Sequence, residues 1–326
     1  MRGYYATCLD QTGPIPPLAV QMWLKHLTVP SLPLDQASFA VLVIHSQDKY
    51  LFDEPAFDAL AKAKLPVIVL DYHEPLGQPE QFRLLFEALK RLNVVGWFKR
   101  ELKANYVVQG CPVWPLDFTV RRWPQHDIPE PRTMFDQRPL DILMMWGYSH
   151  LDRVRLHGAL MTSFESFRSG TAPAQTLEDV EMAVQHNWSC PLALLYTPHY
   201  RRIPLEKTFW LQSKAKITIS LFGNGMRCFR NSEAGYNSVM ALQAPEALQW
   251  SYPWLDQHNC LALENYPNTG DLDLAKAVEK LRYWTVVDHG ALYTLYEHGT
   301  ANNQRYINAT YAQDYLLPLI KTVCAI

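Results

Sequence analysis

The chain lacks any run of 18 apolar residues, the minimum for a helix that spans a bilayer, so no membrane segment is expected. It also lacks an excess of charge of one sign. Thirty Lys and Arg stand against 32 Asp and Glu, a net charge of -2. That excludes the strongly basic surface of a nucleic-acid coat protein. The six cysteines, at 8, 111, 190, 228, 260 and 324, show no CxxC or Cys/His spacing. They read as reduced thiols in a cytoplasmic protein rather than as a zinc site or a disulfide frame. No HExxH, no GxSxG elbow and no GxxxxGK[ST] loop occurs. The start, MRGYYATCLDQTGPIPP, is too polar and too rich in proline for a signal peptide. The end, Cys324-Ala325-Ile326, is one residue short of a prenylation box. Glycine is scarce at 14, whereas proline reaches 23, so loops are numerous and stiff.

What is present describes a globular chain of 326 residues, long enough for two domains. Hydrophobic residues make up 48%, with ten Trp and 17 Tyr for cores and ring-stacking. Strand-like and helix-like stretches alternate. Strands are expected at 39–44, 65–70 and 94–98, with helices at 54–64 and 79–92 between them. Residues 111–140 are crowded with proline and read as the interdomain connection. The pattern then restarts with strands at 140–146, 191–196 and 216–221. Helices are expected at 151–163, 232–243, 271–284 and 303–322. Such alternation predicts an α/β protein with two Rossmann-like, doubly wound domains facing each other across a cleft. The expected boundaries are 1–135, 136–305 and 306–326, the last a helix that crosses back to the first domain. Ligands belong at the C-terminal ends of the strands.

One stretch, Gly223-Asn224-Gly225-Met226-Arg227-Cys228-Phe229-Arg230-Asn231-Ser232-Glu233, follows the strand at 216–221. Glycines admit close backbone approach, and a helix start at Ser232 favours an anion. Arg227 and Arg230 add charge-assisted hydrogen bonds to a phosphate. Glu233 and Asn237 stand four apart, on one helical face, where a carboxylate suits paired sugar hydroxyls. The turn Gly147-Tyr148-Ser149-His150 repeats the theme before a helix that carries Arg153 and Arg155. Two such turns point to a diphosphate or nucleotide. In the first half, His45-Ser46-Gln47-Asp48 and Asp71-Tyr72-His73-Glu74 follow strands directly. Asp71, His73 or Glu74 is the candidate general base. Asp271-Leu272-Asp273 spells DxD, but N-capping of the following helix accounts for it.

With these pieces in order, the second half resembles the C-terminal domain of GT-B glycosyltransferases, of the group 1 kind that includes spore-coat and exostosin-like proteins. The matching pieces are Gly147, Ser149 and Arg153, then Ser213-Lys214-Ala215-Lys216 entering a strand, then Gly223-Asn224-Gly225, Arg230 and Ser232-Glu233-Ala234. Trp97-Phe98-Lys99-Arg100-Glu101 resembles the lead-in to the second domain. The resemblance spans roughly 94–322 and is firmest over 213–284. The Glu-x7-Glu spacing of many relatives is missing, since Ala241 stands where the second Glu would be in register.

The resemblance implies a hexosyl- or pentosyltransferase that uses a nucleotide-diphosphate sugar as donor, without a tightly bound cofactor or metal. Arg230 would meet the diphosphate and Glu233 the ribose or donor sugar. Arg227, Lys216 and the helix starts would neutralise the leaving group, and Asp71 or His73 would take the acceptor proton. The acceptor is left open: a glycan, a lipid-linked sugar, a protein, or a modified base in phage DNA. The basic aromatic stretch Trp114, Arg121, Arg122, Trp123 favours DNA, and the neutral charge opposes it. A non-catalytic two-lobed nucleotide-binding protein and a sugar-phosphate epimerase are the other readings.

Overall fold

The computed structural model describes residues 3–7, 34–44, 54–72, 87–103, 106–108, 110–117, 129–147, 150–167, 173–196, 203–222, 235, 237–286 and 289–325. The chain divides into two compact units. Unit 1 comprises residues 1–121, 248–253 and 306–326, and unit 2 comprises 122–247 and 254–305. Each holds one parallel five-stranded sheet.

In unit 1 the strands are β1 (Gly3–Thr7), β2 (Phe39–Ile44), β3 (Pro66–Asp71), β4 (Asn93–Lys99) and β5 (Val113–Pro115), in that spatial order. β2 and β3 are runs of β-branched and apolar residues buried almost throughout, as a sheet covered on both faces requires. Helix α1 (Glu54–Ala63) lays Phe57 and Leu60 on this core. β5 lies inside the proline-rich stretch read as a connection. A three-residue edge strand tolerates its prolines, since the edge needs fewer donors. Pro112 still contributes, its carbonyl accepting the Trp97 N–H at 3.0 Å.

The C-terminal segment completes unit 1. The sequence pattern predicts one helix over 303–322, but the structure has α8 (Asn308–Tyr311), a π-helical turn at Ala312–Leu316 and α9 (Leu317–Cys324). Pro318 has no N–H for a helical bond, and the wide turn precedes it. Tyr306, Tyr311 and Tyr315 gather around Tyr252, with ring centroids 5.4 to 6.3 Å from it. The buried Tyr311 hydroxyl accepts the Asp117 N–H at 3.0 Å and shares a hydrogen bond with Ser251 Oγ at 2.8 Å. Burial, and then the nearby Asp117 charge, push its phenol well above the usual range, so the hydroxyl stays protonated. Tyr315 donates to the Pro115 carbonyl at 3.1 Å. These bonds join three sequence-distant pieces of unit 1.

In unit 2 the strands are β6 (Leu140–Trp146), β7 (Cys190–Tyr196), β8 (Ala215–Ser220), β9 (Val239–Gln243) and β10 (Leu261–Leu263). Their spatial order is β10-β9-β8-β6-β7. The chain moves outward from β6 to β7, then returns to the other side of β6 to lay down β8, β9 and β10. Alternate residues serve opposite faces. Ile142, Met144 and Trp146 face a cluster with α3 (Leu151–Phe167), α6 (Leu274–Val286) and α7 (His289–Gln304). Leu143 and Met145 face α4 (Leu177–Gln185) and α5 (Leu205–Gln212).

A helix over 232–243 is overturned here. Residues 235 and 237 are helical, but Val239–Gln243 is a fully buried central strand. Val-Met-Ala-Leu-Gln is a short apolar run, and such runs do not distinguish strand from helix by periodicity. A place between β8 and β10 decides it. At the start of the sheet, Arg138 is buried and donates to the Ala215 and Asn237 carbonyls, at 2.5 and 2.6 Å. It also pairs with Glu130, and its guanidinium lies 4.8 Å from the Phe135 and Tyr296 ring centroids.

Replacing Tyr311 with Phe keeps the ring packing and strands the Asp117 N–H. The expected loss is about 1–3 kcal/mol, measured as a lower urea midpoint. A midpoint equal to wild type would show that the hydroxyl contributes nothing.

Candidate site at the strand-order reversal of unit 2

The return across β6 makes a topological switch point between β6 and β8. In open parallel sheets of this order, the strand ends flanking the switch point leave a crevice where ligands bind. Gly147 follows β6 directly, and Leu221-Phe222 follows β8. Arg153, on the first turn of α3, is buried between the two exits. It donates to the Gly147 carbonyl at 3.3 Å and to the Leu221 carbonyl at 3.1 Å. One guanidinium thus fixes the spacing of the two loops, which its planar fork of donors suits.

A second set of bonds extends this edge across the sheet. Asp152 is buried, and its Oδ2 accepts from Gln243 Nε2 at 2.9 Å and from the Leu272 N–H at 3.1 Å. Gln243, the last residue of β9, uses the same Nε2 toward Asn265 Oδ1 at 3.0 Å. Its Oε1 accepts the Phe222 N–H at 3.0 Å. A buried carboxylate needs such partners to offset its lost hydration. Arg155 and His150 add positive or polar groups at 3.8 and 3.6 Å from the carboxylate.

Aromatic groups line the neighbouring strand ends. Trp146 and Tyr196 end β6 and β7 with ring centroids 4.7 Å apart, and Tyr196 is 48% exposed. Trp146 Nε1–H donates to His157 Nδ1 at 3.0 Å. His157 therefore carries its neutral-state proton on Nε2. His150 accepts the Asp152 N–H on Nδ1 at 3.3 Å, and its ring stands edge-on to Phe222. Of this pair only Tyr196 is exposed, so it alone offers a face to a planar ring, while Trp146 backs it from the core.

At the corresponding end of the unit 1 sheet, Asp71 and Lys99 are register partners at the ends of β3 and β4. Asp71 Oδ1 lies 3.2 Å from Lys99 Nζ, and Oδ2 accepts from Trp97 Nε1 at 3.2 Å. Asp71 is 5% exposed. Arg100 and Glu101 follow, both buried, 3.6 Å apart, with Glu101 at φ 58°. Lys99-Arg100 is therefore a buried ion-paired cluster rather than a basic surface patch. Burial, with Asp71 next, pushes the Tyr106 phenol well above its usual value.

Of the residues expected to bind a donor, the structure brings Gly147 and Arg153 together at the switch point. Lys216 stands elsewhere. It is the second residue of β8, buried, with Nζ 3.0 Å from Asp141 Oδ1. At about 3.3 Å per residue, that is roughly 13 Å from the end of the strand. Asn237, expected beside the glycine loop, is buried before β9 at the opposite end of the sheet, its Nδ2 toward Gln212 at 3.4 Å. Asp273 caps α6, its Oδ1 accepting the Lys276 N–H at 3.2 Å, while Asp271 pairs with Arg155 at 3.5 Å. The DxD spelling is thus spent on a helix start and a surface ion pair. His73, Glu74, Ser149, Gly223, Asn224, Gly225, Arg227, Arg230 and Glu233 lie outside the described residues. Among the described residues no group of three His, Cys, Asp or Glu is placed to hold a metal ion, and no helix is long and apolar enough to cross a membrane.

Asp152, Gln243 and Asn265 had no signal in the sequence. They lie more than 20 residues apart and match no motif. What joins them, Gln243 at the end of β9 bonded to Asp152 on α3 and to Asn265 after β10, depends on 239–243 being a strand.

Neither a protein-family model nor a curated protein sequence matches the chain. Solved structures do. The E. coli trehalose-6-phosphate structure bound with UDP-2-fluoro glucose matches with a TM-score of 0.52 at 12% identity, over 95% of this chain and 77% of the other. The alpha,alpha-trehalose 6-phosphate synthase from Burkholderia multivorans matches at 0.51 and 13%, over 94% and 74%. The likeness is one of fold: the chain shares the α/β architecture of these GT-B proteins.

His157 gives a pH expectation. Burial lowers its pKa below the ordinary 6.5. The folded state then binds fewer protons than the unfolded state between the two values. Stability from this group is full above about 6.5 and is lost as pH falls through the depressed folded value. Melting temperature should therefore decline on acidification below pH 6.5, and His157→Gln should flatten that decline. An unchanged slope in the variant would contradict the assignment.

Proposed function

We propose that this chain is a glycosyltransferase that binds a nucleotide-diphosphate sugar at the switch point of unit 2 and passes the sugar to a hydroxyl acceptor. One observation carries the reading. The two glycine-bearing loops singled out in the sequence follow the two strands at which the sheet order reverses, and Arg153 braces them. The fold likeness to sugar-transfer proteins, one of them bound with a UDP sugar, supports it.

The roles follow from position and chemistry. The backbone around Gly147 and Ser149, and around Gly223, Asn224 and Gly225, receives the diphosphate. Arg230 and Arg227 supply the charge-assisted bonds, and Glu233 grips hydroxyls of the ribose or donor sugar. Arg153 acts on the loops, because its guanidinium donates to the Gly147 and Leu221 carbonyls at the two strand exits. Lys216 takes no part, being held by Asp141 at the far end of β8.

In the transfer, the acceptor oxygen forms a bond to the anomeric carbon while the bond from that carbon to the diphosphate oxygen breaks. The electron pair leaves with the diphosphate, where the arginines and oriented N–H groups meet it. The acceptor proton goes to a unit 1 base. Both Asp71 oxygens are already engaged, by Lys99 and Trp97, which favours His73 as the acceptor of that proton and Asp71 as a charged anchor. Fixed cations and dipoles take the place of a metal at the leaving group.

Thermal shift against nucleoside diphosphates and their sugar conjugates tests donor binding. At least one should raise the melting temperature by several degrees at 100 times its Kd. No shift with any of them would sink the reading. Arg230→Ala should weaken the donor by about tenfold to a hundredfold, and His73→Ala should abolish turnover with donor affinity kept. Chelation by EDTA should leave turnover unchanged. Donor binding without hydrolysis or transfer, indifferent to His73→Ala and Asp71→Asn, would point instead to a non-catalytic nucleotide-binding protein.

A further inference from the structure

We propose that Gln243 is a positioning residue that sets donor affinity by holding the entrance to the glycine-arginine segment. The inference rests on the donor site proposed above. Phe222 is the last described residue before Gly223, and Arg153 and Gln243 hold it and its neighbour. Arg153 takes the Leu221 carbonyl, and Gln243 Oε1 takes the Phe222 N–H at 3.0 Å. Gln243 is itself 1% exposed.

The side-chain amide is oriented by its own partners. Its Nε2 faces two acceptors, Asp152 Oδ2 at 2.9 Å and Asn265 Oδ1 at 3.0 Å. An amide has donors on one side only, so with Nε2 committed to a carboxylate, Oε1 must face Phe222. Asp152 in turn is fixed by the Leu272 N–H at 3.1 Å, next to the start of α6. The chain of bonds therefore runs from the α6 entrance through Asp152 and Gln243 to the peptide that leads into the glycine segment. Each member is buried or part-buried, where an unmade bond is costly. How a binding segment is presented depends on how firmly its entrance is held.

The position also predicts what a carboxylate would do there. Gln243→Glu keeps an acceptor for the Phe222 N–H but sets a second carboxyl group about 2.9 Å from Asp152. Two carboxylates so close share one proton, and the pair titrates as a unit. Protonated, the pair restores an O–H···O bond in place of Nε2–H···O, and the Asn265 amide can turn to donate. Ionised, the pair repels and the Phe222 anchor is lost. The titratable and charged groups around it are His150 and Arg155, at 3.6 and 3.8 Å from Asp152, Asp271 beyond Arg155, and the neighbouring Arg153.

Two measurements test this on the full chain. Hydrogen exchange of the Phe222 amide, read without ligand, should be slow in wild type and at least tenfold faster in Gln243→Leu. In Gln243→Glu its protection factor, taken against the intrinsic exchange rate at each pH, should be low at pH 8 and restored at pH 5. Affinity for UDP, GDP, ADP or dTDP, whichever wild type binds best, should follow the same pattern. Gln243→Glu should bind about tenfold to a hundredfold more weakly than wild type at pH 8, with recovery at pH 5 relative to wild type at the same pH. A purely structural residue would lower the melting temperature without this pH-reversed affinity. Equal Phe222 exchange in Gln243→Leu and wild type overturns the proposal whatever the ligand does. Wild-type binding with unaltered affinity in Gln243→Glu overturns it while leaving the donor site standing. Absence of any nucleotide binding in wild type, with Phe222 exchange behaving as expected, removes the donor site and the affinity role together and leaves only the anchor.

Discussion

The amide of Gln243 and the carboxylate of Asp152 meet at 2.9 Å inside unit 2, and the ends of four strands depend on that contact. Asp152 belongs to the first turn of α3, which follows β6, Phe222 to the exit of β8, Gln243 to the end of β9, and Asn265 to the loop after β10. Backbone bonds such as Ala244 N–H to the Leu263 carbonyl at 2.8 Å carry the pairing just past the strand ends, and side chains fix the exits further. Here a buried acid and a buried amide do this for each other. Arg153 adds the brace between the first two exits. At the opposite end of the strands Arg138 does the comparable work, gathering the carbonyls of Ala215, which begins β8, and of Asn237, before β9.

This division of labour explains why cations counted as candidate ligands serve the fold instead. Lys216 and Asp141 neutralise each other between adjacent strands. Lys99 neutralises Asp71 in unit 1, with the Trp97 indole completing the carboxylate. Burial of a charge beside a sheet demands a partner of the opposite sign, and the register of parallel strands supplies one directly alongside.

Much of the architecture was legible because parallel strands buried on both faces appear as continuous apolar runs. Phe39–Ile44, Leu140–Trp146 and Ala215–Ser220 stood out in this way. Val239–Gln243 did not, because a run of five residues does not distinguish strand from helix by periodicity and it follows a segment with helical spacing. β5 was hidden by its prolines, and the break in the C-terminal helix by a periodicity that continues through Pro318. The candidate site was half legible. Glycines and arginines after a strand announce an anion-binding turn, since their chemistry is local. Asp152, Gln243 and Asn265 are ordinary polar residues until three loops bring them together.

The sequence by itself determined the alternation of strands and helices, and with it two α/β units and the strand-to-helix turns where a ligand belongs. Those properties are local, set by side-chain period and by the few residues that favour turns. The tertiary structure decided the order of strands in each sheet, and therefore that Gly147 and Phe222 follow the two strands at the switch point. It also decided that residues 248–253 and 306–326 join unit 1 through the tyrosines around Tyr252. Strand order and chain return depend on contacts between residues tens to hundreds of positions apart, and no local pattern encodes them.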